Sequence, residues 1–122
     1  MSDPQVFPID EKETGQYTAT IVGNDGVTPL PGATLSTLLL TLYVIKQDGT
    51  DQTIRNVQNV LNVNNVTVNA AGLLTWTIQV ADTTLVEAIP FERHIALFEY
   101  TWPTGAGKHE MTLLVRNLRR VT

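Results

Sequence analysis

The chain has 122 residues, a net charge of −4, no cysteine, 43% hydrophobic residues and only 16% charged ones. That length favours one domain. The charge balance disfavours binding to nucleic acid phosphates, and the missing thiols exclude disulfides, thiolate metal sites and Cys nucleophiles. The thinly charged surface, against about 25% charged residues in an average soluble domain, fits a protein housed in an assembly.

In chain order, residues 1–14 read as an extended arm. Pro4 and Pro8 fix two backbone angles and remove two donors. Val6, Phe7 and Ile9 beside them need a docking place, on the same domain or on a neighbour. The opening is acidic, with Asp3, Asp10, Glu11 and Glu13, and shows neither the basic nor the apolar region of a signal peptide. The expectation is therefore a protein made and kept in a cytoplasm, unless a larger particle carries it out. No run is apolar and long enough to span a bilayer, so no membrane partner is expected.

Residues 16–22 (QYTATIV) alternate Tyr17, Ala19 and Ile21 against polar neighbours, the pattern of a half-buried strand. Asn24-Asp25-Gly26 supplies a turn, and Pro29 with Pro31-Gly32 stiffens the next loop. Residues 35–46 (LSTLLLTLYVIK) are apolar on both rows, which predicts a strand central in its sheet or covered on both sides. Gln47-Asp48-Gly49 turns the chain, and residues 50–55 return as a hairpin partner.

Residues 56–65 (NVQNVLNVNN) place Val57, Val60 and Leu61 at helical spacing between asparagines, which predicts a single helical turn crossing between sheets. Residues 66–69 read as a short strand. Residues 73–80 (LLTWTIQV) form an amphipathic strand with Trp76 inward. Residues 82–88 predict a short helical turn, capped by Asp82 and by a Thr84-x-x-Glu87 capping box, with Pro90 ending it.

Residues 93–117 read as two long strands joined by a turn over Pro103-Thr104-Gly105-Ala106. That register sets Trp102 opposite Gly107, Tyr100 opposite His109, His94 opposite Val115 and Glu99 opposite Glu110. One face then carries His94, Ala96, Phe98, Tyr100, Trp102, His109, Met111, Leu113 and Val115 and is the core side. The other is mixed, with Ile95, Leu97 and Leu114 clustered near its far end. Exposed apolar clusters on a sheet often mark contacts. The expectation is that these three touch another chain or the N-terminal arm.

Strand count, turn spacing and scarce helix together predict an all-β, Ig-like antiparallel sandwich of about seven strands over residues 15–122, preceded by the extended N-terminal arm. A jelly roll or partial barrel is the other architecture this pattern allows.

Catalytic chemistry is not announced. His94 and His109 share a face but lie many residues apart along the ribbon, too far for one metal ion. Glu92 and Glu99 point to opposite faces. The serines are Ser2 and Ser36, without a nucleophile elbow. Gly105-Ala106-Gly107 precedes a strand, so no helix N-terminus is available there for phosphate. No catalytic residue, metal or cofactor is expected. Tyr43, Tyr100 and Trp102 are the aromatics a sugar could use, although core packing claims Tyr100 and Trp102.

The strings GQYTATIVGNDGVTPLPGATLSTLLLTLYVIKQDGT, NVLN, GLLTW, ERHIALFEYTW and KHEMTLLVRNL resemble small tailed-bacteriophage virion structural proteins, similar to the Ig-like N-terminal domains of phage baseplate upper proteins. The resemblance covers nearly the whole chain, with GLLTW and HIALFEYTW its most specific pieces. It implies a virion component of the neck, tail, baseplate or capsid decoration, assembled in the host cytoplasm and partnered by other virion proteins. It transfers no active-site residue. With the sandwich expected to run to residue 122, no receptor-binding head and no direct host recognition are expected.

The candidate contact residues are Val6, Phe7, Ile9, Ile95, Leu97, Leu114, Arg116, Arg119 and Arg120. An acidic start against a basic end fits a homo-oligomeric head-to-tail ring. The rival function is a carbohydrate-binding or adhesion sandwich, and an enzyme is a distant third.

Overall fold

A computed structural model describes residues 5–23, 25–87 and 90–116. Eight strands run in chain order: β1 Gln5–Asp10, β2 Gly15–Thr20, β3 Thr37–Ile45, β4 Asp51–Asn59, β5 Val66–Val68, β6 Leu73–Ile78, β7 Phe91–Trp102 and β8 Gly105–Arg116. They form a five-stranded sheet in the order β1-β8-β7-β3-β4 and a three-stranded sheet in the order β2-β6-β5. All neighbours are antiparallel except β1, which runs parallel to β8. This is an immunoglobulin-like two-sheet sandwich, with the first strand laid along the last.

The core lies between the sheets and follows the period-2 pattern of the strands. Leu38, Leu40, Leu42 and Val44 of β3 are fully buried, as are Leu74, Trp76 and Ile78 of β6. Ala96, Phe98, Met111, Leu113 and Val115 of the long hairpin complete the opposing wall. β3 sits between β7 and β4, the central place that its two apolar rows predict. Gly32 marks a close approach: a Cβ there would stand 2.2 Å from the Val68 carbonyl oxygen.

Four local expectations are corrected. Residues 5–10, read as part of an arm, form β1 and bring the strand count from seven to eight. An edge strand needs backbone donors on one side only, so Pro8 is tolerated opposite Leu114.

The helical turn expected within residues 56–65 does not form. Residues 56–59 finish β4, Val60 enters the core, and the chain then turns with Asn62, Asn64 and Asn65 at positive φ. Asparagine tolerates that conformation better than most residues, so the Asn run builds left-handed turns instead of capping a helix.

The turn expected at residues 82–88 lies earlier, as a 3-10 turn over Val80–Thr83. The Asp82 carboxylate accepts the Gln79 N–H at 2.9 Å, so Asp82 closes this turn where it was expected to open one. Thr84 is extended, and Glu87 accepts the Gln47 N–H at 2.9 Å.

The hairpin register differs by two residues. Trp102 pairs with Gly105, so the turn comprises Pro103 and Thr104 alone. Tyr100 therefore faces Gly107, Phe98 faces His109, His94 faces Leu113 and Glu99 faces Lys108. An even shift keeps every side chain on its expected face. It also replaces the opposed Glu99–Glu110 pair with a Glu99–Lys108 pair at 3.8 Å.

Candidate protein-contact surface

The outer face of the five-stranded sheet is built by the odd residues of β3 and β7 and the even residues of β1 and β8. Pairing lines them into rows. One row runs Val6, Thr112, Ile95, Tyr43, and the next runs Pro8, Leu114, Arg93, Ile45. Phe91 precedes Arg93 by two residues on β7, beside Arg116 in the next row. Val6, Ile45 and Phe91 are 59%, 42% and 53% exposed. Leu97 and Leu114 are half-buried, whereas Ile95 is only 7% exposed, set between its neighbours in the row. The expected trio is thus partly separated. Leu114 lies beside Arg93 instead of Ile95, because of the two-residue register difference.

The other candidate residues divide clearly. Ile9 is a core residue, and Phe7 packs edge-on against Tyr17 with ring centroids 6.2 Å apart. Both are held within the chain, because β1 turns its odd residues inward beside β8. Of the three apolar residues proposed in the arm, only Val6 faces out. Arg116 Nε donates to Asp10 Oδ1 at 2.7 Å, so this acid–base pair of the two ends closes within one chain. Arg119 and Arg120 lie outside the described residues.

Sequence reasoning missed Phe91 and Ile45. Both share strand parity with residues it did name: Phe91 with Ile95 and Leu97, Ile45 with Tyr43. Parity was the available signal.

The aromatics offered to a sugar are differently placed. Tyr100 and Trp102 are buried and stacked, with ring centroids 5.8 Å apart, and only Tyr43 of the three reaches the outer face.

A buried polar chain braces the end of the sandwich where β4, the 3-10 turn and β7 meet. Arg55 Nη2 donates to both Asp82 carboxylate oxygens, at 2.7 and 2.8 Å. His94 is fully buried and bonds through Nδ1 to the Asp82 carbonyl at 2.8 Å and through Nε2 to Glu92 Oε1 at 2.7 Å. The carbonyl can only accept, so Nδ1 donates. Glu92 in turn accepts the Val86 N–H at 2.9 Å and the Glu87 N–H. Burial works against the Glu92 carboxylate, but the hydrogen bonds from His94, Val86 and Glu87 outweigh it and hold its pKa below the ordinary value. These groups are fully engaged with each other. Such a network braces a fold and offers no free base.

His109 sits apart, on the same inward face. The Tyr17 hydroxyl and His109 Nε2 share a hydrogen bond at 2.5 Å. Burial pushes the Tyr17 pKa up to about 12, so the phenol keeps its proton, and burial pushes the His109 pKa down. Among the described residues no group of three or more metal-ligating side chains comes together.

A pH dependence follows. The unfolded chain binds a proton at His109 as pH falls through ~6.5, while the folded chain binds it only at lower pH. Stability is therefore lost as pH drops below that point. Glu92, depressed in the folded state, adds a second loss as pH falls below the ordinary carboxylate value of ~4.3. Urea midpoints measured from pH 7.5 to 4 are expected to fall, and His109→Gln should flatten the upper part of that fall. Equal slopes for the two proteins between pH 7 and pH 5.5 would contradict the assignment.

No family model matches the chain. No curated protein matches it. Among solved structures, the chain is similar to a chimeric titin Z1Z2 functionalised with a KLER exogenous peptide from decorin, at 14% sequence identity over 95% of this chain and 91% of that chain, with a TM-score of 0.44.

Proposed function

We propose that the chain is a non-enzymatic structural subunit that works through protein–protein contacts. The observation carrying this reading is the outer face of the five-stranded sheet, where Val6, Ile45 and Phe91 are exposed around Leu97, Leu114 and Tyr43. Apolar side chains gathered on one sheet face are costly to leave in water and favour burial by another surface. The resemblance of GLLTW and HIALFEYTW to phage virion proteins supports a bacteriophage particle as that assembly. The chain would occupy its neck, tail, baseplate or capsid surface, among other virion proteins and copies of itself. The polar groups support this reading by their engagement, since His94, Glu92, Asp82 and Arg55 are spent on one another.

The test is the particle itself. Mass spectrometry and cryo-EM of purified virions from the source phage are expected to find the chain as a stoichiometric component, with density against the outer face of the larger sheet. A protein that stays monomeric and occurs in no particle would overturn the reading.

A further inference from the structure

The outer face carries opposite charges placed diagonally about its apolar centre. Arg93 lies in the row of Leu114 and Ile45, and Glu110 in the row of Leu97 and Thr41, with the row of Ile95, Thr112 and Tyr43 between them. Arg93 and Glu110 are both exposed, and neither has an ion-pair partner among the described residues. By contrast, Arg116 and Lys108 are paired within the chain, to Asp10 and Glu99.

Area sets a second condition. Five strands at ~4.8 Å spacing and about ten residues at ~3.3 Å each give a face of roughly 800 Å². A stable interface takes about 800 Å² from each partner. The face is large enough without help from a loop or tail.

We propose that two copies of this chain pack face to face through the outer surface of the five-stranded sheet, about a two-fold axis that crosses the strands between Ile95 and Thr112. This deepens the protein-contact reading above and rests on it. Such an axis exchanges the two charged positions. Arg93 of each copy then meets Glu110 of the partner subunit, while the apolar rows around Ile95 close against each other. The axis lies in the plane of the interface and bisects the line from Arg93 to Glu110, so that these two opposite charges meet across it, as an isologous interface requires, while Asp51 beside Ile45 adds a further exposed carboxylate to the Arg93 row. Charge complementarity of the face with itself, together with its area, favours a second copy as the occupant over an unrelated protein. The expected head-to-tail pairing of acidic start with basic end is not needed, since Asp10 and Arg116 already satisfy each other.

Charge swaps test it on the full chain, with sedimentation velocity over micromolar to submillimolar concentrations. The wild type is expected to dimerise. Arg93→Glu and Glu110→Arg are each expected to weaken the dimer at least about tenfold, because each places two like-charge pairs in the interface. An equimolar mixture of the two variants is expected to recover the dimer, as the double variant Arg93→Glu/Glu110→Arg should, since both restore opposite signs at both contacts. A wild type that is monomeric throughout would overturn the proposal, as would a mixture that associates no better than either variant alone. A monomer still found in particles would overturn the self-pairing and leave the subunit reading standing. A dimer found in no particle would do the reverse.

Discussion

Replacing Asp82 with Ala is expected to lower the unfolding free energy by about 3–5 kcal/mol, the usual cost of removing one partner from a buried ion pair. Asp82 is 1% exposed and holds Arg55 through two hydrogen bonds. It also accepts the Gln79 N–H that begins the 3-10 turn. Truncation leaves the Arg55 guanidinium without a counter-charge and that N–H without an acceptor. The turn also carries the Asp82 carbonyl that binds His94, so the loss reaches β7. Domains of this kind are stable by only about 5–15 kcal/mol, which puts the variant near the margin of folding. Asp82→Asn keeps an acceptor and should lose less. Urea unfolding at pH 7, followed by far-UV circular dichroism, checks both. A loss below about 1 kcal/mol for Asp82→Ala would place this ion pair with ordinary exposed pairs.

Trp76→Ala is expected to cost about as much, roughly 3–5 kcal/mol, through the cavity it leaves. Trp76 is fully buried on the middle strand of the smaller sheet, opposite Tyr17 on β2 and Val66 on β5. Its ring stands edge-on to Phe98 of the larger sheet, with centroids 5.7 Å apart and an interplanar angle of 77°. It therefore ties three strands of one sheet to the other. Its indole Nε1 is buried with no hydrogen-bond partner among the described residues. An unsatisfied buried donor costs on the order of 1–3 kcal/mol, so Trp76→Phe sheds a penalty along with some volume. Trp76→Phe is expected to lose clearly less than Trp76→Ala. The same urea series measures both, and equal losses would contradict the role given to the ring contact with Phe98.

Much of this fold is legible from strict alternation. β2, β3 and β6 show it in Tyr17 and Ile21, in Leu38 through Val44, and in Leu74 through Ile78, because a two-sheet sandwich buries one face of each strand. Three features were less legible, each for a physical reason. Residues 5–10 looked like an arm because Pro8, with Pro4 shortly before it in the sequence, breaks the donor row, yet an edge strand beside β8 tolerates Pro8. The Asn-rich stretch after β4 has helical spacing, but left-handed Asn residues serve turns as readily as caps. The hairpin register was misjudged by two because Gly105 and Ala106 look like turn residues while they begin β8.

The candidate contact surface was half-legible. Strand parity placed Ile95, Leu97 and Leu114 on one face, and the structure keeps them there. Their neighbours Val6, Tyr43 and Ile45 come from strands distant in the chain, and only sheet order brings them alongside. The Arg55–Asp82–His94–Glu92 chain was hidden for the same reason, as its members sit on three separate elements. The one local clue was Glu92 and His94, two apart on a strand and both on the core parity.

The central claim is that the outer face of the five-stranded sheet is covered by another subunit. The chain has no cysteine, so a single introduced thiol reports one position without interference. Leu114→Cys probes the face, and Val27→Cys probes the distant turn, where Val27 is 76% exposed. Maleimide labelling rates would be compared between the assembled protein and the chain diluted to monomer. Assembly is expected to slow labelling at position 114 about tenfold or more, in line with burial at an interface core, and to leave position 27 unchanged. Equal labelling at position 114 in both states would contradict the account.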